Sequence, residues 1–237
     1  MKVYYDLHIH SALSPCGDND MTPNNIVNMS MIKGLDVIAI ADHNSAGNVR
    51  AAMEVAGDNI LIIPAMEVTT SEEVHVLCYF PDIDGAEDMS DFIHDHLPDI
   101  KNRPEIFGNQ YYMDAEDEIK GEEEKLLVSA TDLSIYDVLE EAKKRGGIMI
   151  PAHIDRDSYS VLANLGFMPP DLNVGAVEIT DKNRDALSKE YEKYAIITDS
   201  DAHYLENISE PNHQLDILNK NIENFVKSLS KIQTDYF

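Results

Sequence analysis

Seven short apolar runs punctuate the chain, at Val3 to Ile9, Asp36 to Ala41, Ile60 to Pro64, Val74 to Phe80, Gly147 to Ala152, Ala176 to Thr180 and Ala195 to Thr198. Runs of this length bounded by turn formers predict strands. Helical segments lie between several of them. Thr22 followed by Pro23 reads as an N-cap and first-turn proline, and Gly34 after Lys33 closes that helix. Ser134 with Asp137 three residues on makes a capping-box-like start, and Lys143, Lys144 and Arg145 fill the last turn before Gly146. A further helix is expected from about Asp185 to Tyr194. In the tail from Asn219 to Ser230, Ile222, Phe225, Val226 and Leu229 fall at helical spacing. Strands alternating with helices predict an α/β architecture built of βα units on parallel strands.

One segment breaks the rhythm. Between Asp82 and Glu124 stand fifteen acids against Lys101, Arg103 and Lys120. A structureless loop of that length is uncommon inside a compact domain, so residues 82–130 read as an inserted acidic segment or a lid over a site within a single domain spanning 1–237. The whole chain is acidic as well, with 18 Lys and Arg against 44 Asp and Glu and a net charge of −26. Such a surface repels phosphate backbones and anionic lipid, so the expected partner is a small phosphorylated molecule, with no duplex nucleic acid and no membrane. Cys16 and Cys78 are too few for a disulfide framework, no apolar run approaches the roughly 18 residues of a membrane span, and the N-terminus lacks a signal-peptide pattern. A cytoplasmic, reducing location is the expectation.

The histidines carry the chemistry. Six of the nine lie inside or at the ends of apolar runs: His8, His10, His43, His75, His153 and His203. Asp6, Asp42, Glu67, Asp199 and Asp201 accompany them. In βα folds the C-terminal ends of parallel strands form one face, so residues far apart in sequence converge there. His8 and His10, two apart on a strand, leave the same face and can grip one metal while Leu7 and Ile9 pack the other way. Mixed imidazole and carboxylate sets suit zinc, iron or manganese. Glu67 has two oxygens with which to bridge two ions, and closely spaced cations would supply hydroxide near neutral pH and hold phosphate oxygens. His75 opens its run instead of closing it, which points to an irregular or antiparallel strand.

D-L-H-I-H-S at Asp6 to Ser11, A-D-H-N at Ala41 to Asn44, A-M-E-V at Ala65 to Val68, H-V-L-C-Y-F at His75 to Phe80, P-A-H at Pro151 to His153 and D-S-D-A-H at Asp199 to His203 resemble, in order, the motifs of the PHP (polymerase and histidinol phosphatase) family. The resemblance implies a distorted seven-stranded (β/α) barrel, with the acidic insertion after the fourth strand, and two or three divalent transition-metal ions that hydrolyse phosphoesters. Carried over by position, His8, His10, Glu67 and Asp201 resemble the ligands of one metal. Glu67 would bridge to a second held by His75 and His153, and His43 and His203 resemble ligands of a third. The chain departs from the family where an additional third-site ligand is usual. It has Pro15 and Cys16 there, so Cys16, or Asp18 if the loop bulges, would take that place.

Asp6, Asp42 and Asp199 read as groups that orient histidine ligands, and Glu178 as either another of these or a strand residue facing the barrel. Arg156, three residues beyond His153, is the leading candidate to clamp phosphate, ahead of Lys182 and Arg184. His94, His96 and His213 fall outside the motifs and read as surface. The expected activity is hydrolysis of a small phosphomonoester by a metal-bridging hydroxide. The alternatives are a phosphodiesterase trimming short oligonucleotides and a metal-loaded regulatory domain without turnover.

Overall fold

A computed structural model describes residues 1–217 and 221–230 of the chain. Its centre is a six-stranded sheet in the order β10-β1-β2-β3-β4-β7. These strands are β1 (Lys2–Ile9), β2 (Val37–Ile40), β3 (Leu61–Thr69), β4 (His75–Tyr79), β7 (Ile148–Pro151) and β10 (Gln214–Asp216). A separate parallel pair, β8 (Ala176–Glu178) and β9 (Ala195–Ile197), stands beside it. Each of the seven apolar runs therefore contains a strand, but they do not hydrogen-bond as one closed barrel. The sheet curls into a half-barrel, and single contacts join the pair to it. Ile154 N–H donates to Glu178 O at 2.9 Å beyond β7, and His10 N–H donates to Ala202 O at 2.9 Å beyond β1.

Parallel pairing holds for β1–β2 and β2–β3 only. The third strand outruns its apolar signal because it changes partner near Pro64. Residues 61–64 pair with β2, and residues 65–69 pair antiparallel with β4. Strand β4 is antiparallel to both neighbours, as the position of His75 at the head of its run suggested. A register shift in β1 between Asp6 and Ile9 corrects one expectation: Leu7 and Ile9 do not pack together but enter different core clusters, since an extra residue turns the strand's faces over.

Both faces of the sheet are covered, which is why its strands read as continuous apolar runs. One cluster, with Leu7, Ile63, Tyr79 and Ile150, is closed by Phe225, Val226 and Leu229 of α8 (Ile222–Ser230). The expected start of that helix at Asn219 lies outside the described residues. The other cluster receives α1 (Pro23–Lys33), α2 (Val49–Ala56), α3 (Ile83–Asp95) and α5 (Ile135–Lys144). Helix α1 has the Thr22 cap, and Gly34 adopts the left-handed φ of 83° that ends it. The Ser134–Asp137 capping box opens α5.

The acidic segment is structured. Asp82 caps α3, whose Ala86, Met89 and Ile93 join the core, and α4 (Pro104–Phe107) and the hairpin of β5 (Tyr111–Met113) with β6 (Ile119–Glu122) follow. This hairpin docks on the loop after β1: Tyr111 N–H donates to Ala12 O at 2.9 Å, and Asp117 accepts from Thr22 Oγ1 at 2.7 Å and Asn24 N–H at 3.0 Å. After β7 and β8 come two short helices, α6 (Val161–Leu165) and α7 (Arg184–Leu187). The helix expected to reach Tyr194 stops at Leu187. Ser188 Oγ donates back to Arg184 O, and Tyr191 and Tyr194 turn into the core. No helix among the described residues is long and apolar enough to cross a membrane.

Candidate metal centre

All six strand-end histidines meet at one end of the half-barrel, around Glu67. Its Oε1 lies 2.9 Å from His75 Nδ1 and 3.3 Å from both His8 Nε2 and His153 Nε2. Its Oε2 lies 3.0 Å from His43 Nδ1 and 3.5 Å from His10 Nε2. Asp201 faces the same space, with Oδ1 2.9 Å from His10 Nε2 and 3.3 Å from His8 Nε2. His203 completes the row, its ring centroid 4.3 Å from that of His10. Among the described residues, three ligand sets have donor atoms within 4.8 Å of one another: His8–His10–Asp201, His43–Glu67–His75 and His10–His43–His203. Backbone strain concentrates here. Asn44, His153, Tyr159 and Asp201 all take positive φ, which residues bearing a Cβ tolerate only when their surroundings hold them.

The electrostatics fit divalent ions. Burial works against charge on Glu67, yet His75, His8 and His43 hold its carboxyl well below the usual range. Asp201 is likewise buried and is held low by His8 and His10. Burial and the neighbouring His43 keep His10 well below the ordinary imidazole value, so it stays neutral. His43 Nδ1 and Glu67 Oε2 face each other at 3.0 Å without forming a hydrogen bond, and both are buried with no other hydrogen-bond partner among the described residues. Buried polar atoms left in this way are costly unless a cation satisfies them. An imidazole and carboxylate donor set of this kind suits borderline transition metals.

A ring of supporting groups holds these side chains. Glu178, left open by the sequence, is buried and faces His8 Nδ1 at 3.1 Å, and it accepts from His153 N–H at 2.6 Å. Ser14, the second serine of H-S-A-L-S and given no role from the sequence, meets His10 Nδ1 at 2.9 Å and donates to Asp42 Oδ1 at 2.6 Å. Asp42 also accepts from Ser11 N–H and Ser11 Oγ, Asp199 accepts from Leu7 N–H, and Asp6 accepts from Ser200 and Ser209 N–H. These three aspartates thus bind loop backbone and hydroxyls, whereas Glu178 and Ser14 meet the imidazoles. Arg156 Nη1 pairs with Asp201 Oδ2 at 2.5 Å, and its side chain stays partly exposed at the rim. Arg184 is tied to Thr198 Oγ1 and Ile196 O, away from the centre. His94 and His96 lie outside it near Glu123 and Asp132, and His213 faces Asp181.

The two candidates for an extra third-site ligand part ways. Asp18 accepts from Asp20 N–H at 2.9 Å, within its own loop. Cys16 is surface-exposed yet sits beside His43 and His203, and although partial desolvation opposes ionisation their charges pull its thiol down to about 6. The acidic segment buttresses this loop. Gly108, at φ 99°, lies so close to Pro15 O that an added Cβ would fall 1.9 Å from it. If Cys16 binds an ion, alkylation by iodoacetamide should be slow in metal-loaded protein and fast after chelation, because coordination removes the free thiolate. Equal rates in both states would leave Cys16 a bystander.

No protein-family model matches the chain. An uncharacterized protein of Methanocaldococcus jannaschii is 25% identical over 182 residues, a match covering 76% of this chain and 20% of that one. Among solved structures, the lesion-specific endonuclease Q of Pyrococcus furiosus superposes with a TM-score of 0.74 at 18% identity, over 97% of this chain and 56% of that enzyme. A protein of Bifidobacterium adolescentis, provisionally assigned as a metal-dependent phosphoesterase, matches at 0.60 and 16% identity, over 98% of this chain and 97% of its own. A two-domain Bacteroides vulgatus protein, assigned a PHP-like metal-dependent phosphoesterase by prediction, matches at 0.57 and 15% identity, over 98% of this chain and 63% of its own. The fold is of the PHP type. The chain spans about half the endonuclease and a fifth of the archaeal relative.

This comparison corrects the expectation that duplex nucleic acid is excluded. Endonuclease Q has been crystallised with a 27-mer duplex bearing an abasic lesion at its active site, and that complex superposes on this chain with a TM-score of 0.67. Net charge is a sum over the whole surface, whereas a substrate meets a local potential that bound cations can invert.

Proposed function

We propose that the chain carries the site of a metal-dependent phosphodiesterase acting on nucleic acid. The observation that carries the reading is the convergence of five imidazoles on Glu67, with Asp201 and His203 beside His10 and with His43 Nδ1 and Glu67 Oε2 buried and unsatisfied. Divalent ions bound there would supply Lewis acidity, activating water near neutral pH and offsetting charge on phosphate oxygens. His8, His10, Glu67 and Asp201 would hold one ion, Glu67, His75 and His153 a second, and His43 and His203 with Cys16 a third. Glu178 faces His8 Nδ1 and so keeps Nε2 turned to Glu67 and Asp201. Ser14, itself held by Asp42, does the same for His10. Arg156, anchored on Asp201, leaves guanidinium donors at the rim for a phosphate oxygen.

The fold shared with endonuclease Q supports a diester substrate. Cleavage of a small phosphomonoester is the second reading, favoured by the net charge of −26, since a monoester brings only one phosphate to an acidic surface. A screen of metal-loaded protein should separate the two. It would cover nucleotides, sugar phosphates, histidinol phosphate, a dinucleotide, single-stranded RNA and DNA, and a duplex with an abasic residue. The diester reading expects the best diester to exceed every monoester in kcat/KM; a leading monoester selects the second reading, and no hydrolysis of either would return a regulatory domain. Arg156→Ala should lower kcat/KM on the best substrate about thirtyfold, the size of a lost charge-assisted hydrogen bond.

A further inference from the structure

The loop of residues 154–160 follows His153 and borders the metal centre. Near its start Arg156 reaches Asp201, and near its end Tyr159 takes a φ of 54°, a left-handed conformation disfavoured for any residue with a Cβ. The surroundings enforce it. His75 N–H donates to Tyr159 O at 2.9 Å. Next to it, Ser160 Oγ donates to Arg156 O at 2.7 Å and accepts from Ala163 N–H at 3.1 Å as the cap of α6. The result is a tyrosine ring lying on the His75 imidazole, with centroids 4.8 Å apart and planes 22° from parallel. Tyr159 nonetheless remains 47% exposed while the His75 imidazole stacks on its ring.

From His75 a row of ring contacts runs through His43 (5.2 Å) and His10 (4.5 Å) to His203 (4.3 Å). Tyr159 thus stands half exposed at the His75 end of this row. In a chain of net charge −26, cations are scarce for tracking a phosphate backbone. Stacking a base on an aromatic face needs none, and every base has such a face.

We propose that Tyr159 is a stacking platform for an unpaired nucleobase next to the phosphodiester presented to the metal centre. This deepens the phosphodiesterase reading and rests on it. Its consequence is a preference for sites where a base is free of its neighbours, as in a single strand or a locally opened duplex.

The test uses metal-loaded protein and short single-stranded DNA carrying 2-aminopurine at successive positions, with matched strands in which that residue is a base-free tetrahydrofuran. Wild-type binding should quench 2-aminopurine fluorescence at one or two positions beside the cleaved bond. Tyr159→Phe should keep the quench. Tyr159→Leu should lose it and raise KM about tenfold on the base-bearing strand, while leaving KM on the base-free strand and the metal content unchanged. If Tyr159→Leu slows both strands equally, the ring serves only to hold His75 and the proposal fails. Hydrolysis of diesters without quenching at any position would overturn the platform and leave the phosphodiesterase reading intact. Quenching without hydrolysis of any diester would do the opposite.

Discussion

Glu67→Gln should reduce turnover at least a thousandfold, about 4 kcal/mol in the barrier, and release bound metal measurable by elemental analysis. The carboxylate is buried between five imidazoles, with one oxygen toward His8, His75 and His153 and the other toward His10 and His43. Glutamine keeps the shape but removes the charge and turns an NH2 group toward ring nitrogens that need an acceptor or a cation. Among the described residues, the carboxylates still facing the histidine rings would then be Asp201 and Glu178, and Glu178 is committed to His8 Nδ1 and His153 N–H. Glu178→Gln should therefore be milder, costing ten- to a hundredfold in metal affinity as outer-shell changes do. Asp18→Asn should be silent, since that side chain faces its own loop. Retention of the full metal complement by Glu67→Gln, with activity within tenfold of wild type, would remove Glu67 from the centre.

How much of this centre could be read in advance depends on the range of the signal. Six of the nine histidines sit inside or at the ends of apolar runs, and strand ends in a βα arrangement share a face, so their convergence was legible without a structure. The position of His75 at the head of its run pointed to an irregular or antiparallel strand, and β4 is antiparallel. Glu178 and Ser14 were harder. Glu178 meets His8 across 170 residues, and nothing local to G-A-V-E-I-T says which imidazole it will find. The shift in β1 that sends Leu7 and Ile9 to different clusters has no marker, because a bulge needs no special residue unless it demands positive φ. Strand β10, with the sequence Gln-Leu-Asp, is a short polar edge that owes its existence to pairing with Lys2 to Tyr4. The charge argument failed for a different reason: it treated a whole-surface sum as if it were the field at the mouth of the site.

Chelation should lower the melting temperature by about 8–16 °C at neutral pH, and the gap between loaded and stripped protein should widen as pH rises. A ligand at about a thousand times its Kd adds about 4 kcal/mol to a folded state it alone recognises. For a chain of this size each kcal/mol moves the midpoint by about 2–4 °C. The pH dependence follows from the imidazoles. Burial disfavours charge on His8 and His43. Even so, Asp201, Glu178 and Glu67 around His8, and Cys16 and Glu67 around His43, raise both well above the ordinary value in the metal-free protein. A histidine whose folded pKa exceeds its unfolded one contributes stability that is fully present below about pH 6.5 and is lost as pH rises through the folded value. Stripped protein should therefore weaken through the alkaline side of neutrality. Metal binding must displace those same protons, so affinity grows over the same range. His10 and His75 are held below the ordinary value, chiefly by burial, and act on the other side: their contribution is lost as pH falls below about 6.5. Melting curves of loaded and chelated protein at about pH 6, 7 and 8.5 would decide the matter. A gap that stays constant or narrows with rising pH would mean that the imidazoles around Glu67 are not the groups that bind the ions.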